Sequence, residues 1–183
     1  MAQKEITLLE GCRKGNGADQ RELFKLYYSK LMGICLRFAK NADEAKDLLQ
    51  EGFIKIFDGI DKFQGNSSLE TWMKRIMINH CINYYKKELR QIVTANIEDY
   101  DVADEEVSLG EEQQQYTPEQ VLEIMKELPL GYKTVLNLYA VEGFTHKEIA
   151  TTLNISEGTS KSQLNKARTY LKSILSERLI KTN

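Results

Sequence analysis

Between Gln91 and Tyr116 the chain carries Glu98, Asp99, Asp101, Asp104, Glu105, Glu106, Glu111 and Glu112, and no lysine or arginine. A stretch so charged buries too little apolar surface to offset the entropy of ordering it. Whatever folds must therefore fold on either side of it. The chain of 183 residues has a formal charge of −2, and without these eight carboxylates it would carry +6. The sequence reads as two mildly basic pieces, 1–90 and 117–183, joined by an acidic flexible linker, 91–116.

Both pieces show helical periodicity and no alternating strand pattern, so the expected fold class is all-α: two small helical domains, the second ending in a helix-turn-helix. Ile6 to Cys12 is a short amphipathic start, ended at Gly15-Asn16-Gly17. Ala18 to Lys40 is a long helix with Leu23, Leu26/Tyr27, Leu31, Ile34/Cys35 and Phe38 facing inward. Asn41 and Glu44 can cap a third helix, which carries Ala45, Leu48/Leu49, Phe53 and Ile56/Phe57. Ser67 and Glu70 form a capping box for a fourth, with Leu69, Trp72/Met73 and Ile76/Met77 inside. Beyond the linker, Thr117-Pro118-Glu119-Gln120 is a helix start. Two helices, up to Lys126 and from Pro129 to Val141, follow it.

The segment from Phe144 to Leu175 carries the sharpest local signal. Thr145 and Glu148 make a T-x-x-E capping box. Ile149, Ala150 and Leu153 are the apolar side of the helix it opens. Asn154-Ile155 is a turn, and Ser156 can cap the next helix. That helix places Leu164, Ala167, Leu171 and Ile174/Leu175 on one stripe, leaving Ser160, Lys161, Gln163, Lys166 and Arg168 largely elsewhere. A short helix, a tight turn and a polar second helix is how a helix-turn-helix seats a reading helix in the major groove. From Thr145 to the end, seven basic residues stand against three acidic ones. Gly158, in the first turn of the second helix, costs helix stability and so suggests a close backbone approach. Solvated helix faces are the bland alternative.

Two further constellations lie in the first piece. Gln64, Gly65, Asn66, Ser67 and Ser68 form a small polar loop. It is followed by Arg75, Asn79, Asn83 and Lys86/Lys87 at near four-residue spacing, hence along one helix face. Asparagines on a helix face are suited to hydrogen-bonding base edges, and the loop could admit an unstacked base. Upstream, Asp43, Glu44, Asp47, Gln50 and Glu51 line the side of a helix opposite its apolar stripe. No histidine or lysine partners accompany them as acid–base chemistry would require, so this side reads as a protein-docking face.

Other classes find no support. There is no P-loop, no G-x-G-x-x-G, no G-x-S-x-G and no H-E-x-x-H, so no enzyme activity and no cofactor are expected. Cys12, Cys35 and Cys81 are odd in number and lack a C-x-x-C pair; with only His80 and His146 as partners, no metal site is expected. No apolar run approaches the ~18 residues of a membrane span, and the first residues lack the apolar core of a signal peptide. A cytoplasmic protein without membrane insertion is expected.

Taken in order, these constellations resemble the extracytoplasmic-function (ECF) class of bacterial RNA polymerase sigma factors. The matching stretches are FKLYYSKLMGICLRFAKNADEAKDLLQEGFIKIF, FQGNSSLETWMKRIMINHCINYYKK, LPLGYKTVLNLYAVEGFTHKEIATTL and ISEGTSKSQLNKARTYLKSIL. The resemblance implies a transcription initiation factor whose partners are core RNA polymerase, promoter DNA and an anti-sigma factor. It implies polymerase docking by Asp47, Leu49, Gln50 and Glu51. It implies reading of the −10 element by Gln64 to Ser68 with Arg75, Asn79, Asn83, Lys86 and Lys87. For the −35 element it implies Thr145, Ser156, Gly158, Thr159, Ser160, Lys161, Gln163, Lys166 and Arg168. The linker corresponds to one that runs through the polymerase toward the RNA exit path. Family members commonly carry Arg where this chain has Gln163, and a basic residue where it has Asn165. That departure points to an additional recruiting factor. A conventional helix-turn-helix regulator and a helical interaction adaptor are the alternative readings.

Overall fold

The computed structural model describes residues 3–86, 123–125 and 127–182, and among these there is no strand. The linker, Lys87 and the helix start at Thr117 lie outside the described residues. The chain divides into two units, 1–84 and 85–183. No described helix is long and apolar enough to cross a membrane.

The first unit contains α1 (Gln3–Arg13), α2 (Gly17–Phe38), α3 (Ala42–Gly59), a 3-10 turn (Ile60–Lys62) and α4 (Leu69–Tyr84). Helices α2, α3 and α4 pack on one another, and α1 lies against α2. The core is Leu23, Tyr27, Leu31, Ile34, Cys35 and Phe38 of α2 with Ala45, Leu48, Leu49, Phe53 and Ile56 of α3. From α4 it takes Leu69, Met73, Met77, Ile78, Cys81 and Ile82. At the alternative between Leu26 and Tyr27 the structure chooses tyrosine: Leu26 is exposed, while Tyr27 is buried and its hydroxyl donates to Glu5 Oε1 on α1 at 2.7 Å. Burial first, and that hydrogen bond second, raise the phenol's pKa.

The caps follow side-chain chemistry. Asn41 Oδ1 accepts from the Glu44 amide at 2.8 Å and opens α3. The capping box expected at Ser67 and Glu70 is displaced by one residue. Ser68 Oγ accepts from the Thr71 amide at 3.1 Å, and Glu70 instead bonds Lys30 at 2.5 Å and Lys74 at 2.9 Å. Leu69, the first residue of α4, is buried.

In the second unit, Ile124, Met125 and Leu128 are buried. They precede α5 (Leu130–Leu136), which runs into one π-helical turn, Asn137–Val141. Then come α6 (His146–Leu153) and α7 (Glu157–Thr182). α7 packs on α5 and on α6. Val135, Leu138, Ile149, Leu164 and Ala167 form the buried contact. The Thr145–Glu148 capping box is formed in both directions. Asn154 ends α6 in the left-handed region at φ 57°, ψ 53°, a conformation asparagine tolerates better than most residues.

Candidate polymerase and nucleic-acid interfaces

On α3, Asp47, Gln50 and Glu51 are exposed, and Leu49 is not: at 1 % exposure it belongs to the core. Leu49 therefore holds the helix in place and cannot itself meet a partner. Asp58 is exposed, and so is Ile54, at 59 %. Positions 47, 51, 54 and 58 recur at helical spacing, so the stripe has an apolar centre with carboxylates around it. Ile54 was missed from sequence because attention followed the buried stripe. Its signal was an isoleucine standing between Glu51 and Asp58 on the polar side.

The loop before α4 is anchored at both ends and free between them. Phe63 is buried, its ring 5.4 Å from that of Trp72. Its carbonyl accepts from Arg13 Nη2 at 2.6 Å. Leu69, at the far end, is buried. Gln64, Gly65, Asn66, Ser67 and Ser68, between these anchors, are all exposed. Gly65 sits at φ +78° with open space around it, a left-handed turn that other residues rarely adopt. Four polar residues and a glycine are thus presented from a fixed base. The α4 face that continues from the loop shows Arg75, Asn79, Asn83 and Lys86, each exposed. At 1.5 Å per residue this face extends ~12 Å from Arg75 to Asn83.

α3 and α4 meet closely behind these two surfaces. A Cβ added at Gly52 would lie 2.4 Å from Met77 Sδ, so any larger residue there would make the end of that side chain move. Beside it, His80 Nε2 lies 3.4 Å from Glu51 Oε2. Burial first, and Lys55 second, depress the His80 pKa, while Glu51 opposes them. The neighbouring Cys35 first, and burial second, raise the pKa of the Cys81 thiol. All three cysteines are free thiols in the core, and no cluster of metal-ligating residues occurs among the described residues.

In the helix-turn-helix the expected residues separate into two groups. Thr145, Ser156, Gly158 and Lys161 are exposed, and Thr159, Lys166 and Arg168 are half-buried. Ser156 Oγ accepts from the Thr159 amide at 2.9 Å, which completes its cap. Ser160 and Gln163 are buried, at 0 % and 2 % exposure. Neither reaches a base edge in this conformation, which corrects their placement on the reading surface. Ser160 Oγ bonds His146 Nδ1 at 2.9 Å, and the His146 ring stacks on Tyr139 at 4.7 Å and 22°. The π turn, the first residue of α6 and the start of α7 are thereby tied together. Gln163 Oε1 finds no hydrogen-bond partner. A Cβ at Gly158 would meet only Ser156 Oγ, at 3.6 Å, so nothing within the described chain requires glycine there.

Residues 23–91 match the family model of Sigma-70 region 2, and residues 119–171 that of Sigma-70 region 4. The chain belongs to the sigma-70 family. Curated relatives place it in the ECF class. It is 29 % identical over 178 residues to the RNA polymerase sigma-H factor of Pseudomonas aeruginosa, covering 91 % of each chain. It is 29 % identical over 170 residues to the ECF RNA polymerase sigma-E factor of Haemophilus influenzae, covering 88 % of this chain and 89 % of that one. Among solved structures, the sigma factor RpoE in complex with the anti-sigma factor NepR, from Bartonella quintana, aligns with a TM-score of 0.55 at 22 % identity. That alignment covers 86 % of this chain and 97 % of the other. CnrH in complex with the cytosolic domain of CnrY aligns with a TM-score of 0.52 at 18 % identity, over 96 % and 99 % of the two chains. At these identities the two structures speak to the sigma fold alone.

Proposed function

We propose that this ECF sigma factor binds core RNA polymerase through α3 and directs it to promoters by reading a −10 element with the loop and α4, and a −35 element with α7. The observation that carries this reading is in the first unit. A solvent-facing acidic stripe with an apolar centre (Asp47, Glu51, Ile54, Asp58) and a polar–basic face (Arg75, Asn79, Asn83, Lys86) stand on two helices that touch at Gly52. A complementary basic, partly apolar surface would meet the first. The exposed asparagine amides of the second can pair with base edges. The experiment is run-off transcription with purified core polymerase, with and without the protein. The charge reversals Asp47→Lys and Glu51→Lys should abolish core pull-down while far-UV circular dichroism stays unchanged, because both side chains are exposed. Undiminished pull-down would remove the docking assignment.

In this reading the chain supplies recognition and no catalysis, and its working place is the cytoplasm, where polymerase is. The domains are 1–90 and 117–183, and the acidic linker 91–116 is a tether and polymerase-channel insert. An anti-sigma factor is the natural antagonist, since the same surfaces would have to be covered to silence the protein. The −35 contact rests on Lys161, Thr159, Lys166 and Arg168 with the caps Thr145 and Ser156. With Gln163 turned inward and Asn165 uncharged, that contact is weaker than an arginine pair would make it. A recruiting partner at the upstream promoter would compensate.

A further inference from the structure

We infer that His80 is a positioning residue for Glu51, and that it makes polymerase docking sensitive to protonation. The inference rests on the docking role given to Glu51 above. Glu51 sits at the rim of α3, its side chain 58 % exposed, with solvent on one side. On the other side stands the His80 imidazole, 5 % exposed, with Nε2 at 3.4 Å. Gly52 borders this contact. A Cβ there would also stand 3.6 Å from His80 Cδ2, besides colliding with Met77. The ring therefore reaches the back of the docking face from the DNA-reading helix.

The charged groups that act on the imidazole are Glu51 and Lys55, both on α3; α2, which also packs on α4, adds none among the described residues. Burial and Lys55 disfavour the proton, so the ring is neutral near pH 7 and its Nε2 has no completed hydrogen bond. The arrangement is poised rather than saturated. A neutral ring leaves the carboxylate's charge available to a cationic partner. A protonated ring forms an ion pair with Glu51 and draws that charge inward. A cation of the polymerase engaging Glu51 removes the one group that favours the proton on His80. Docking and protonation then oppose each other, and by linkage each weakens the other equally.

The test uses full-length protein and core polymerase, with binding measured from about pH 7.5 to about pH 5.5, on either side of an ordinary histidine pKa. Four chains are compared: the native one, His80→Gln, which cannot titrate, Glu51→Gln, and His80→Gln with Glu51→Gln. The ratio of native to His80→Gln affinity should fall about fivefold on acidification, the size of a typical coupling. In the Glu51→Gln background, restoring His80 should change that ratio little. A flat ratio in the native background, or the same fall without Glu51, overturns the inference. An independent readout needs no variant at position 80: the His80 Cε1–H resonance should titrate at lower pH in Glu51→Gln than in the native chain, and an unmoved titration overturns it too. Failure of the docking reading looks different, because the Asp47→Lys, Glu51→Lys chain would then bind core as well as the native one.

Discussion

At the scale of single residues, Ser160 is the instructive case. Its hydroxyl is fully buried and bonded to His146, which in turn stacks on Tyr139. Removing one partner of a buried hydrogen bond costs about 1–3 kcal/mol, whereas replacing both by apolar groups of similar shape can be nearly neutral. Ser160→Val should therefore lower the melting temperature of the C-terminal unit, and His146→Phe in addition should recover most of the loss. A double variant as unstable as the sum of the singles would show that the bond contributes nothing by itself. The burial of Ser160 departs from the sequence expectation, which sets it off the apolar stripe. Positions 160, 163, 164 and 167 continue one helical stripe, so Ser160 and Gln163 are polar residues at core positions. The stripe drawn from Leu164, Ala167 and Leu171 alone leaves both outside it, and the structure widens it to take them in. Leu49 is the same lesson on α3. Spacing sets Leu48/Leu49 on the apolar face, the resemblance sets Leu49 on the docking surface, and the structure buries both at 1 % exposure.

At the scale of elements, the caps show what local chemistry determines and where it stops. Asn41, Thr145 and Ser156 cap the helices that the sequence assigned to them, because each competes only with its own backbone. Ser67 does not, because Glu70 is drawn away by Lys30, forty positions upstream. Tyr27 displaces Leu26 from the core for the same kind of reason, a partner on another helix. Such choices depend on tertiary neighbours that no short window contains. The loop and α4 then carry two expected outcomes. Gly65→Ala, forced into φ +78°, should cost about 1 kcal/mol and weaken open-complex formation more than core binding; equal effects on both would mean the loop has no separate role. Asn79→Ala and Asn83→Ala should leave thermal stability unchanged, since both are exposed. Each should reduce discrimination between matched and mismatched −10 fragments by about 1–3 kcal/mol. Equal loss on both fragments would remove base reading from this face.

At the scale of the whole molecule, charge is apportioned rather than balanced. The chain is slightly acidic only because of the segment 91–116, and the residues around it are basic. Limited proteolysis of the free protein should cut within 91–116 and release two folded fragments. Slow hydrogen exchange from Glu98 to Glu112, matching the helices, would show that the segment is ordered instead. Lys161→Ala should flatten the salt dependence of −35 binding by about one counterion while leaving sequence preference intact; an unchanged slope would place Lys161 away from phosphate.

The hydrogen bond from Arg13 to the Phe63 carbonyl reaches across fifty positions of sequence, from a helix that precedes the region 2 match to the base of the proposed recognition loop. A protein trimmed to begin at Leu23 would satisfy every recognisable feature of its family and still lose the strut beneath its most exposed loop. If the loop reads melted DNA as proposed, such a chain should form open complexes less well than the full one. In the proposed reading, the recognition unit begins at α1, upstream of residue 23, where the family match starts.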